Sequence, residues 1–281
     1  MRFPGLLFRA LATLAGVAVA GVACDGQPLG HAAPSGSDTG PGRQQLVVFN
    51  EQPWNALTTM RWSYLRRTGS KDADIVVDPT APLSPPHVLR IIFTPDMTRD
   101  TDPGVHWIGL PGPREVRASW WVKVSANWIA SPAGAAKMTF LHAQPDGQGQ
   151  VYTALAGSSA PHSVIVNTEW APYTQRIWEP NVAKSPIGYG RWYRIDWYAK
   201  WESNPSAVDG ILRWWVDGVL NGEYSDVRFP AGGDGFQQFE FAPTVQQPPP
   251  AEQHMYIDHT SIETRPSTAS SGPAVPARNF R

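Results

Sequence analysis

Arg194, Asp196, Tyr198 and Lys200 occupy alternate positions of the stretch Trp192 to Trp201, while Tyr193, Ile195, Trp197 and Ala199 fill the places between them. Alternate side chains of an extended strand share a face, so the first set brings cations, a carboxylate and a phenol together above an apolar second face. These residue types neutralise an anion and move protons. The stretch Val116 to Val124 has the same design, with Arg117, Ser119, Trp121 and Lys123 on its polar face. Arg213 and Trp215 extend the set from Gly210 to Val216, and Asp196 is placed to pair with Arg213 across neighbouring strands. Lys137 opens a further run that ends at His142, whose imidazole acts as a base near neutral pH.

The elements that must position these groups are strands. Apolar residues recur with period 2, and 28 Pro and 25 Gly leave helices little uninterrupted sequence. The spacing predicts strands over 88–93, 116–124, 137–143, 150–155, 163–168, 174–179, 192–201, 210–216, 236–241 and 254–263. Asp217-Gly218 joins the apolar runs 210–216 and 219–220 as a two-residue hairpin, because both turn positions favour positive φ. Parity assigns Trp120, Trp197 and Trp214 to a core. Many short antiparallel strands without a fixed-period repeat specify an all-β, two-sheet antiparallel sandwich over 46–264.

Arg2 and Arg9 precede an apolar stretch, Ala10 to Ala23, that is short for a membrane span and reads as a signal peptide over 1–23. Gly21-Val22-Ala23-Cys24 resembles a bacterial lipobox, which marks Cys24 for lipidation; ordinary cleavage after a small-x-small triplet fits the same residues. Residues 24–45 form a polar tether and 265–281 a loose tail, since neither buries enough apolar surface to offset ordering. The expected location is therefore the cell envelope or the medium, with a membrane engaged only through the lipid. A net charge of −1 without a basic run in the body excludes a nucleic-acid partner. A single Cys excludes an intramolecular disulfide, and the seven His have no zinc spacing.

The runs Arg191 to Lys200 and Asp209 to Gly218, with Trp121-Val122-Lys123, Lys137 to Leu141 and the closing stretch Met255 to Ile262, resemble bacterial concanavalin A-like jelly rolls. The similarity is to polysaccharide lyases of the alginate and glucuronan type, and it covers roughly 115–263. It departs at Ala135-Ala136-Lys137, where those lyases tend to carry Gly-Gly-Lys. The resemblance implies β-elimination on an acidic polysaccharide. Arg194 or Lys200 would hold the uronate carboxylate, His142 would be the base, Tyr198 the base or acid, and Lys137 a matching cation. Trp121 and Trp215 would stack on sugars beside Lys123, Asp196 and Arg213. No cofactor is implied beyond a structural Ca²⁺, for which Asp78 and Asp258 are the candidates by resemblance. Glycoside hydrolysis ranks low, because no strand carries the close carboxylate array of the glucanases with this fold. Laminin-G-like and lectin modules share the same strand pattern, so the competing class is a non-catalytic carbohydrate-binding or adhesive module. A structural envelope protein without a glycan site is a third.

Overall fold

The computed structural model describes residues 47–265, apart from 53, 55, 58–61, 67–70, 83–86, 131–133, 144–148, 171–172, 231–234 and 245. The signal peptide, Cys24, the tether and the tail beyond Arg265 lie outside the described residues.

Fifteen strands and no helix make up the described residues: β1 (Val47–Gln52), β2 (Ser63–Leu65), β3 (Ala73–Val77), β4 (His87–Phe93), β5 (Val105–Gly109), β6 (Glu115–Val124), β7 (Ala135–His142), β8 (Gln150–Ala156), β9 (Ser163–Trp170), β10 (Tyr173–Trp178), β11 (Tyr193–Lys200), β12 (Gly210–Val216), β13 (Val219–Val227), β14 (Gln238–Phe241) and β15 (Gln253–Arg265). The first sheet runs β13-β12-β11-β6-β15-β4-β3, and β1 pairs with the second half of β15. The second sheet runs β10-β9-β8-β7-β14-β5-β2, and all pairings in both sheets are antiparallel. The all-β sandwich expected from the alternation is thus the observed architecture.

Period-2 patterning decides which face of each strand turns inward. In β6 every even-numbered residue from Val116 to Val124 is buried and every odd-numbered one is partly exposed. Trp120, Trp197 and Trp214 are buried in the core with Phe239 and Phe241 of the facing sheet. Trp214 also ties the sheets together, because its indole Nε1 donates to the Val164 carbonyl at 3.0 Å. Gly222 makes room for that ring: a Cβ built there would lie 2.1 Å from Trp214 Cη2. At the Asp217-Gly218 turn φ is +49° and +79°, as the hairpin expectation requires. The turn is anchored to β11 through the Arg194 amide, which donates to Asp217 Oδ1 at 2.8 Å.

Strands β1, β2, β3 and β5 were not among the expected ones. All lie at or next to a sheet edge and are short, so long-range pairing rather than a local periodic run defines them.

Candidate functional site

The residues singled out by sequence do not come together. Trp121, Lys123, Arg194, Asp196, Tyr198, Lys200, Arg213 and Trp215 belong to β6, β11 and β12 of the first sheet, whereas Lys137 and His142 belong to β7 of the second.

On the first sheet Lys123, Arg194, Asp196 and Arg213 are ion-paired with neighbouring side chains. Asp196, expected among the substrate-binding residues, is buried to 4% exposure, 3.0 Å from Arg194 and 3.5 Å from Arg117. Its expected partner, Arg213, instead pairs with Glu223 of β13 at 2.7 Å, since the β12–β13 register sets those two residues opposite each other. Lys123 is ion-paired with Asp78, and its ammonium lies 4.8 Å from the ring centres of both Trp192 and Tyr256. Asp78 also accepts from the Thr80 amide and hydroxyl at 2.9 and 2.6 Å. Asp258 is fully buried, and no group of three or more metal-ligating side chains occurs among the described residues. Arg117 lies 5.8 Å over the Trp215 ring, and Trp121 and Trp215 are both partly buried. Tyr198 is held protonated well above the ordinary phenol range by burial and then by the negative charge of Glu115. Lys200 sits opposite Glu115 in the β11–β6 register.

The second sheet positions a different set. Lys137 and His142 differ in parity, so a regular strand would turn them to opposite faces. A bulge between Lys137 and Thr139, seen in the β7–β8 register, inserts one residue and sets Lys137, Phe140 and His142 on the same outward face. A cavity of about 580 Å³ opens over this face, lined among others by Lys137, Phe140, Tyr152, Asn167, Gln175 and Glu240. Its floor is apolar, built from Phe140, Tyr152 and Ile165. Small residues at Gly134, Ala135 and Ala156 line the same cavity and leave space for a ligand to approach the backbone.

Tyr152 is the centre of the polar network in this cavity. Its hydroxyl donates to Glu169 Oε1 at 2.9 Å and accepts from Asn167 Nδ2 at 2.9 Å. The Lys137 ammonium stands 4.5 Å from the Tyr152 ring centre and 4.0 Å from Glu169 Oε1. Gln150 Nε2 fixes the other oxygen of Glu169 at 2.7 Å. Burial, assisted by the charge of Glu169 against the Asn167 hydrogen bond, pushes the Tyr152 phenol up to about 12. Tyr152 therefore carries its proton at any physiological pH and is equipped as a donor.

His142 stands beside this cluster, diagonal to Tyr152 because Phe140 pairs with Tyr152 and His142 with Gln150. Its Nε2 is 2.8 Å from Glu240 Oε1, and Glu240 Oε2 accepts from Gln238 at 2.7 Å. The contact with Glu240 fixes the orientation of the imidazole ring on this face. The sequence reading missed Tyr152, Asn167, Glu169 and Glu240. The pairing of Phe140 with Tyr152 in the β7–β8 register is what brings Tyr152 beside Lys137.

No family model and no curated protein matches the sequence. Among solved structures, an endo-β-1,4-glucuronan lyase from the fungus Trichoderma reesei matches with a TM-score of 0.50 and 13% identity, over 74% of this chain and 96% of that one. An alginate lyase in complex with alginate trisaccharide matches with a TM-score of 0.46 and 12% identity, over 73% and 98% of the two chains. An alginate lyase from a Chlorella virus gives 0.45 and 12%, over 70% and 93%. At such identity the likeness to the glucuronan lyase is one of fold, and the chain is a two-sheet antiparallel β sandwich similar in fold to that enzyme.

Proposed function

We propose that the chain acts on a uronate-containing polysaccharide by β-elimination, and that the reaction takes place in the cavity over the second sheet. The observation that carries the reading is the Lys137–Tyr152 contact on the cavity floor, with the Tyr152 hydroxyl oriented by Asn167 and Glu169. In this scheme Lys137 neutralises the uronate carboxylate and so acidifies the adjacent ring proton. His142, oriented by Glu240, takes that proton. The C4–O bond breaks as the C4=C5 double bond forms, and Tyr152 donates its proton to the departing oxygen. The elimination consumes no water and needs no co-reactant. The fold likeness to a protein named as a glucuronan lyase supports the reading, while the assignment here rests on this chain's own residues.

In this reading Arg194 serves as an ion-pair partner of Asp196, and Tyr198 and Lys200 take no part in the chemistry. Export, with Cys24 as the lipid attachment point, remains part of the proposal on the strength of the sequence pattern. The apolar floor of Phe140, Tyr152 and Ile165 favours a second reading, a non-catalytic carbohydrate-binding groove in which sugars lie on that surface. Incubating the protein with uronate-containing polysaccharides while following the unsaturated-uronate absorbance separates the two. Product formation that disappears in Tyr152→Phe supports the lyase. Binding without product supports the groove alone.

A further inference from the structure

The charge around the cavity does not suit a chain of uninterrupted uronates. Among the described residues that line it, Asp100, Asp102, Glu179 and Glu240 are acidic and Lys137 is the one cation, with His142 beside the lining held 2.8 Å from Glu240. Glu169, 4.0 Å from Lys137, offsets part of even that positive charge. Outside the cavity lining, Arg99 lies 3.3 Å from Asp100 and compensates one carboxylate at the rim. A homopolyuronate threading this groove would set one carboxylate at Lys137 and the next ones against like charge, which raises the free energy of binding.

Resting on the lyase reading of this same site, we infer that the substrate is a heteropolysaccharide in which each uronate is flanked by sugars without negative charge. Lys137 receives the single carboxylate. Gln175, Asn167 and the acidic side chains offer hydrogen-bond acceptors and donors to the hydroxyls of the flanking sugars. Like-charge rejection is then the selectivity element, working against dense polyanions as effectively as contacts work for the correct chain.

The test is binding, measured apart from cleavage. Wild-type protein is titrated with two probes of matched length, an oligoglucuronate and an unsulfated oligosaccharide alternating glucuronate with an N-acetylated sugar, at low and moderate salt. The alternating probe is expected to bind more tightly, and affinity for the oligoglucuronate is expected to rise with salt as repulsion is screened. The double variant Asp100→Asn with Glu179→Gln, both at exposed positions, is expected to raise oligoglucuronate affinity about fourfold and to leave the alternating probe within about twofold. Tighter or equal binding of the oligoglucuronate, or affinity for it that falls with salt, overturns the inference. It does so without touching the lyase reading if unsaturated product still forms. The predicted order of binding without product from either probe removes the lyase reading and leaves the selectivity inference standing.

Discussion

Replacing Tyr152 by Phe removes one oxygen from the cavity floor and separates chemistry from folding. The ring keeps its place, because the contacts with Phe140 at 5.1 Å and with the Lys137 ammonium at 4.5 Å do not involve the hydroxyl. The lost groups are one hydrogen bond to Glu169 and one from Asn167. Glu169 keeps Gln150 on its second oxygen, so the stability cost comes mainly from the buried Asn167 amide and is about 1–2 kcal/mol. For a domain of this size that lowers the melting temperature by roughly 2–8 °C. A positioned proton donor contributes about 10²–10⁴ in rate, equivalent to roughly 3–5 kcal/mol of barrier. Initial rates of unsaturated-uronate formation should therefore show kcat reduced at least about 100-fold, with KM changed by less than about threefold, because the hydroxyl acts on the leaving oxygen rather than on the ground state. A folded Tyr152→Phe protein with kcat within about threefold of wild type would refute the assignment.

Three further outcomes follow from the packing and the charges. Lys123→Met leaves Asp78 charged and largely enclosed; urea unfolding should show a loss of about 3 kcal/mol while glycan affinity stays unchanged, and a selective loss of affinity would return Lys123 to the binding site. Burial holds His106 down at about 4, against the pull of the Gly104 carbonyl and Asp72, so its neutral form stabilises the fold fully above pH 6.5. That stability is lost as the pH falls from 6.5 towards 4, because the unfolded chain binds the proton first; unfolding curves should lose about 3 kcal/mol more in wild type than in His106→Phe, and parallel pH profiles would contradict this. Gly222→Ala drives a methyl to 2.1 Å from Trp214 Cη2 and should cost about 3 kcal/mol in denaturant midpoint measurements, whereas a neutral result would mean that the buried indole can move aside.

The architecture was legible where one strand face meets solvent. From Val116 to Val124 and from Gly210 to Val216 alternation named the buried residues, and Asp217-Gly218 named the hairpin. The site was less legible, for identifiable reasons. Strand β8 is buried on both faces from Val151 to Leu155, so it shows no alternation to draw attention to Tyr152. The bulge after Lys137 reverses the parity of β7, a change that side-chain patterning cannot reveal in advance. Asp196 lies on a nominally outward face but is enclosed by Arg117 and Arg194, because long cationic side chains fold over a neighbouring carboxylate. The alternating charges of the first sheet include ion pairs, whereas the residues to which the proposal gives proton transfer stand among apolar neighbours.

Backbone amide NMR of the deuterated protein, titrated with a uronate-containing oligosaccharide, tests the placement of the site most directly. Shifts concentrated on Lys137 to His142, Gln150 to Ala154, Asn167 to Glu169 and Glu240 are the predicted result. Shifts concentrated on Arg194 to Lys200 and Arg213 to Trp215, with the second sheet unmoved, would contradict it.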